Sequence, residues 1–111
     1  MNVNFSGYNE NVVTFMVEDT NVTMGTPVKM AGSHTVSACA DSDNMVGVAV
    51  NVRNGYAAVQ LSGYIEMPTQ DTFTPGYCKI AASKNNSVKN ATSGREYLVV
   101  SVEENIVGFI L

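Results

Sequence analysis

The sequence has no tryptophan, one histidine, two cysteines and three prolines, and only 14% of its 111 residues are charged. Each scarcity excludes something. One histidine and two cysteines without CxxC spacing cannot build a conventional zinc site, so no metal ligand is assigned. Residues 1–11 are polar, lack Lys and Arg, and contain no apolar stretch of the secretory kind, so no signal peptide is expected there. Cys39 and Cys78 are then expected as reduced, mostly buried thiols rather than a disulfide. Six basic side chains face ten acidic ones, a net charge of −4. That balance argues against a nucleic-acid partner, whose binding rests on phosphate neutralisation. It argues equally against an anchor on anionic lipid. No run of 18 apolar residues occurs, so no transmembrane helix is expected.

The polar share is carried instead by Asn, Thr, Ser and Gly. At 111 residues the chain suits one domain, and about two-thirds of its unfolded surface can be buried at this size. Val, Thr, Ile, Tyr and Phe recur between short turn signals, which reads as β-structure almost throughout. The expected fold is all-β: a compact β-barrel or β-sandwich of short antiparallel strands over residues 12–111, preceded by an arm over residues 1–11.

Residues 45–67 give the best-defined hairpin. Asn54-Gly55 suits a type I′ turn, which needs positive φ at both central positions. The turn sets a register in which Arg53 faces Tyr56, Val52 faces Ala57, Val50 faces Val59 and Val48 faces Leu61. One face is then apolar on both strands, and the other carries Asn51, Ala58, Gln60 and Ser62. The second strand is expected to continue through Gly63, Ile65 and Met67 until Pro68 stops it. Further strands are expected at 13–17, at 27–30 and 35–40 around an Ala31-Gly32-Ser33 turn, and at 97–102 and 106–111. The last pair flanks Glu103-Glu104-Asn105, with Asn105 suited to a left-handed position. Residues 69–75 and 83–93 read as loops. Only residues 77–84 offer room for two helical turns.

Candidate chemistry is sparse, and no catalytic residue is assigned. His34 sits in a predicted turn beside Gly32-Ser33, without a visible nucleophile or orienting acid. Asp41-Ser42-Asp43-Asn44 starts like a calcium loop, but Met45, Val46 and Val52 occupy the positions that need an oxygen ligand, a glycine and a glutamate. A polar turn is the better reading. Lys29 invites comparison with the carrier lysine of biotinyl or lipoyl domains, but it lies in a strand and not at a hairpin tip, so no cofactor is assigned. Arg95 and Glu96 read as solvated residues at a strand start. Three Asn-x-Ser/Thr triplets, at Asn21, Asn85 and Asn90, are treated as chance. Tyr56 and Tyr64 are expected together on the face opposite the apolar one. Tyr56, Gln60 and Tyr64 therefore form a candidate subunit contact, the alternative being a half-covered sheet.

One order of segments carries a family likeness. Met24-Gly25-Thr26-Pro27-Val28 is followed by Val36-Ser37-Ala38-Cys39-Ala40-Asp41 and Val46-Gly47-Val48-Ala49. After them come Ala57-Ala58-Val59-Gln60-Leu61-Ser62-Gly63 and a terminal Gly108-Phe109-Ile110-Leu111. From about Val13 to Leu111 this resembles the small head-decoration proteins of tailed bacteriophages and prophages. The resemblance implies a non-enzymatic protein, often a homotrimer, that binds the major capsid protein on the outside of the expanded head and stabilises the shell. It would be made in the bacterial cytoplasm and reside on the virion. The arm would reach the capsid through Asn2, Val3, Asn4, Phe5, Ser6, Gly7 and Tyr8. Two other readings stay open: another virion component, in a head fibre or tail, and a carbohydrate-binding β-sandwich that uses its exposed tyrosines.

Overall fold

The computed structural model describes residues 11–18 and 21–111. Among them the regular structure is entirely β, in ten strands. In chain order these are β1 (Asn11–Val17), β2 (Pro27–Gly32), β3 (Thr35–Ala38), β4 (Gly47–Arg53), β5 (Tyr56–Ser62), β6 (Tyr64–Pro68), β7 (Gly76–Ala82), β8 (Val88–Asn90), β9 (Glu96–Glu103) and β10 (Ile106–Ile110). The first five close into a small barrel in the order β1-β3-β2-β4-β5, and the last five form a second sheet in the order β6-β10-β9-β7-β8. The all-β expectation is met, with barrel and sheet both present. All named strand pairs are antiparallel except β1 with β3.

Each half has its own apolar cluster. Val22, Val28, Val36, Ala49, Ala57 and Val59 fill the barrel. Met45, Val48, Met67, Phe73, Ile80, Val88, Tyr97, Val99, Val107, Phe109 and Leu111 pack within the second half. Ala49 and Val48 are neighbours on β4 yet belong to different clusters. Side chains alternate sides along a strand, so β4 serves both halves at once.

The Asn54-Gly55 turn forms as expected, with φ of 52° and 81°. Arg53 faces Tyr56 and Val52 faces Ala57. Beyond that the predicted register fails. A bulge at Val50 makes Ala49 face Val59 and Val48 face Gln60, in place of the expected Val50–Val59 and Val48–Leu61 pairs. A bulge shifts the alternation by one residue and sharpens the local twist. That shift is what delivers Ala49 to the barrel and Val48 to the other cluster.

The expected long strand through Met67 is also broken. Gly63 has φ of 94°, a conformation that favours glycine. The chain turns there and leaves the barrel, so β5 and β6 belong to different sheets. The β2–β3 turn falls at Ser33-His34 rather than at Ala31-Gly32-Ser33, with a register shift between Met30 and Gly32 and His34 at φ 59°. Residues 77–84 are not helical: Gly76–Ala82 is β7, paired with β8 and β9. The expected loop at 83–93 contains β8. The C-terminal hairpin is as expected, with Asn105 left-handed at φ 62° and Phe109 fully buried.

Asn11, which its polarity places in the lead-in, opens β1 and donates through Nδ2 to Ser62 Oγ at 2.9 Å. The Leu111 amide donates to the Gly63 carbonyl at 2.9 Å. The start of β1 and the end of β10 thus meet the chain at the same corner. The proposed arm residues Asn2 to Tyr8 lie outside the described residues.

Candidate functional site

The structure separates the three residues expected to form a subunit contact. Tyr56 is half exposed, whereas Gln60 and Tyr64 are buried within the chain. Gln60 lies where β5 leaves the barrel. Its Nε2 donates to the carbonyls of Ser62 and Tyr64, both at 3.0 Å, and so braces the Gly63 corner. Tyr64 lies on β6 in the second sheet, where its hydroxyl donates to Glu66 Oε2 at 2.8 Å. Burial, reinforced by the Glu66 carboxylate, pushes the Tyr64 phenol up to about 12. Its ring covers Gly108, where an added Cβ would overlap the phenolic oxygen. A run of alternating residues suggested one shared face, but the corner at Gly63 sends the two tyrosines to different sheets.

Gln60 then has a structural role with a measurable weight. Replacing it with Leu removes two hydrogen bonds at the corner, which costs about 2 kcal/mol at roughly 1 kcal/mol each. Gln60→Glu should cost more, because a carboxylate would face two carbonyl oxygens. Urea unfolding of both variants checks the order.

Tyr56 remains on the outer barrel face. With Thr14 of β1, Asn51 and Arg53 of β4, Asn54 of the turn and Ala58 of β5, it lines a shallow groove of about 380 Å³. The pairing is direct: Thr14 faces Ala58, Met16 faces Tyr56, and Asn51 faces Ala58 from the other side. Ala58 is the small residue at the floor. None of the five polar side chains around it hydrogen-bonds to another described residue. The hairpin pattern already put Asn51, Tyr56 and Ala58 on one face. Thr14 was missed, because the β1–β5 pairing joins segments about 40 residues apart in sequence and no local signal encodes it.

The other candidates take ordinary places. His34 is in an exposed turn, its Nδ1 3.2 Å from Ser33 Oγ. Asp41 to Asn44 form a turn: Asp43 Oδ2 accepts from the Ala40 amide at 2.8 Å and from Lys29 Nζ at 2.7 Å, and Asp41 pairs with Lys89 at 3.1 Å. Among the described residues no three His, Cys, Asp or Glu side chains converge as a metal group. Arg95 stacks over the Tyr97 ring, 4.9 Å from its centroid. Cys39 and Cys78 are free, half-buried thiols. Burial, followed by the nearby Asp43 carboxylate, pushes the Cys39 thiol up to about 11, which keeps it protonated and unreactive near neutrality.

The Lys29–Asp43 pair gives a pH signature. The Lys29 hydrogen bond, then the Ala40 amide, holds the Asp43 carboxyl below the ordinary carboxylate range. A depressed folded-state pKa contributes stability that is present above about pH 4 and lost as pH falls through the folded value. Lys29 is raised by the same contact, so its contribution is lost only on the alkaline side, above its ordinary value. The thermal midpoint should therefore decline in acid, and Asp43→Asn should flatten part of that decline.

No protein-family model matches the chain, and no curated protein matches it.

Proposed function

We propose that this protein is a non-enzymatic decoration protein that associates, as a homotrimer, with the major capsid protein on the outside of an expanded bacteriophage head. The observation that carries the reading lies on β1. Val12 and Met16, which share the outer face of that strand, are 51% and 46% exposed. Large apolar side chains left to solvent on one face of β1 suit a protein partner. The segments that carry the likeness also build the barrel and its partner cluster: Val28, Val36, Val48, Ala49, Ala57, Val59 and Phe109 are all essentially buried. A clamp of this kind needs complementary surface and many copies, since symmetric repetition on a shell turns a modest contact into lasting attachment.

Co-sedimentation with expanded phage heads tests it. Full-length protein should pellet with heads, and a chain starting at Asn11 should bind at least roughly tenfold more weakly, a loss of about 1.4 kcal/mol. Failure of the full-length protein to bind expanded heads overturns the function. Equal binding by both chains overturns the role of the arm residues Asn2 to Tyr8.

A further inference from the structure

The groove on the outer barrel face has the makings of a ligand site independent of any shell. Its floor is Ala58, and one wall is the Tyr56 ring, 53% exposed. Around them stand Thr14, Asn51, Arg53 and Asn54, whose side chains have no hydrogen-bond partner among the described residues. Some surface groups elsewhere are paired, Lys29 with Asp43 and Lys89 with Asp41 among them, whereas these side chains keep their full hydrogen-bonding capacity for a ligand. Here a flat aromatic ring, a hydroxyl, two carboxamides and one guanidinium belong to the lining of one groove.

That set of groups selects a chemistry. An exposed Tyr ring offers a flat apolar face with a polar edge, which suits the C–H face of a pyranose. Hydroxyl and carboxamide groups both donate and accept, as a polyhydroxylated ligand requires. Arg53 is the single charged residue in the lining, and guanidinium binds carboxylate through two parallel hydrogen bonds. A peptide added as a strand is a poor fit, because β1, β4 and β5 are paired on both sides within a closed barrel and present no edge there. We propose that the groove binds a saccharide that carries a carboxylate, with the sugar ring on Tyr56, the carboxylate on Arg53, and hydroxyls on Asn51, Asn54 and Thr14. Nothing in this requires a capsid partner.

The test uses the full chain with 3′-sialyllactose and trigalacturonate as two sources of the carboxylate, and lactose as the neutral control. Amide shifts in NMR titrations report the site, and calorimetry reports the affinity. One or both acidic saccharides should bind at millimolar concentration and shift residues 51–58, with lactose at least roughly tenfold weaker. Arg53→Gln should bring the acidic ligand down to the level of lactose, a loss of roughly tenfold. Tyr56→Ala should abolish binding. Should that variant fail to fold, Ala58→Gln, which fills the floor, takes its place. The proposal is overturned if neither acidic saccharide binds, if lactose binds as well, or if the shifts lie away from the groove. It is equally overturned if Tyr56→Ala dissociates an oligomer in sedimentation while leaving saccharide binding intact, since a second copy would then cover this face.

Discussion

Phe109→Ala lowers the unfolding free energy by about 3–5 kcal/mol. Phe109 is completely buried near the end of β10, between β6 and β9. Its ring meets Tyr97 edge-on, with centroids 5.5 Å apart. The loss has three parts: the transfer energy of the ring, the cavity left behind, and the aromatic pair. Tyr97 cannot easily collapse into the space, because its hydroxyl donates to the Met45 carbonyl at 3.2 Å and Arg95 lies over its ring. A domain of this size has about 5–15 kcal/mol in total, so the loss is a large share of the whole. Urea melts followed by circular dichroism give the number. A loss under about 2 kcal/mol would mean that the second cluster is not packed around this ring.

Gly47→Ala costs about 3 kcal/mol, the upper end of the usual overpacking range. Gly47 opens β4 where the barrel meets the second sheet. A Cβ there would overlap the Gln60 carbonyl oxygen and come within 2.8 Å of Val59 Cγ1 and 3.2 Å of Leu61 Cδ2. A side chain can rotate away, but a strand carbonyl cannot, so β4 and β5 would have to part where Val48 faces Gln60. Gly32→Ala is the matched control, since a Cβ there meets nothing within 4 Å. It should stay within about 0.5 kcal/mol of the parent. Equal effects at the two positions would refute the close approach at Gly47.

Much of the local structure was legible because it depends on neighbours in sequence. Asn54-Gly55 and Asn105 fixed two turns, since few residues tolerate positive φ and these do. Alternating Val and Ala marked β4 and β5. The error at residues 77–84 has the same root: a short mixed segment, Tyr77 to Ala82, carries no strong period of either kind. Its pairing with β8 and β9 is what makes it a strand. The tyrosine pair failed for a different reason. Tyr56 and Tyr64 keep the same parity along the chain, but parity predicts a shared face only while the strand stays in one sheet.

The sequence by itself determined the all-β class and the turns at Asn54-Gly55 and Asn105, because propensity, alternation and turn stereochemistry act over a few residues. The tertiary structure alone decided that the chain divides into a barrel and a sheet with separate clusters, that Gln60 and Tyr64 turn inward, and that Thr14 joins Tyr56 at one groove. Those outcomes hang on a bulge at Val50, a corner at Gly63 and the pairing of β1 with β5. Each is selected by how distant strands pack, so the energy that favours it appears only once both partners are in place.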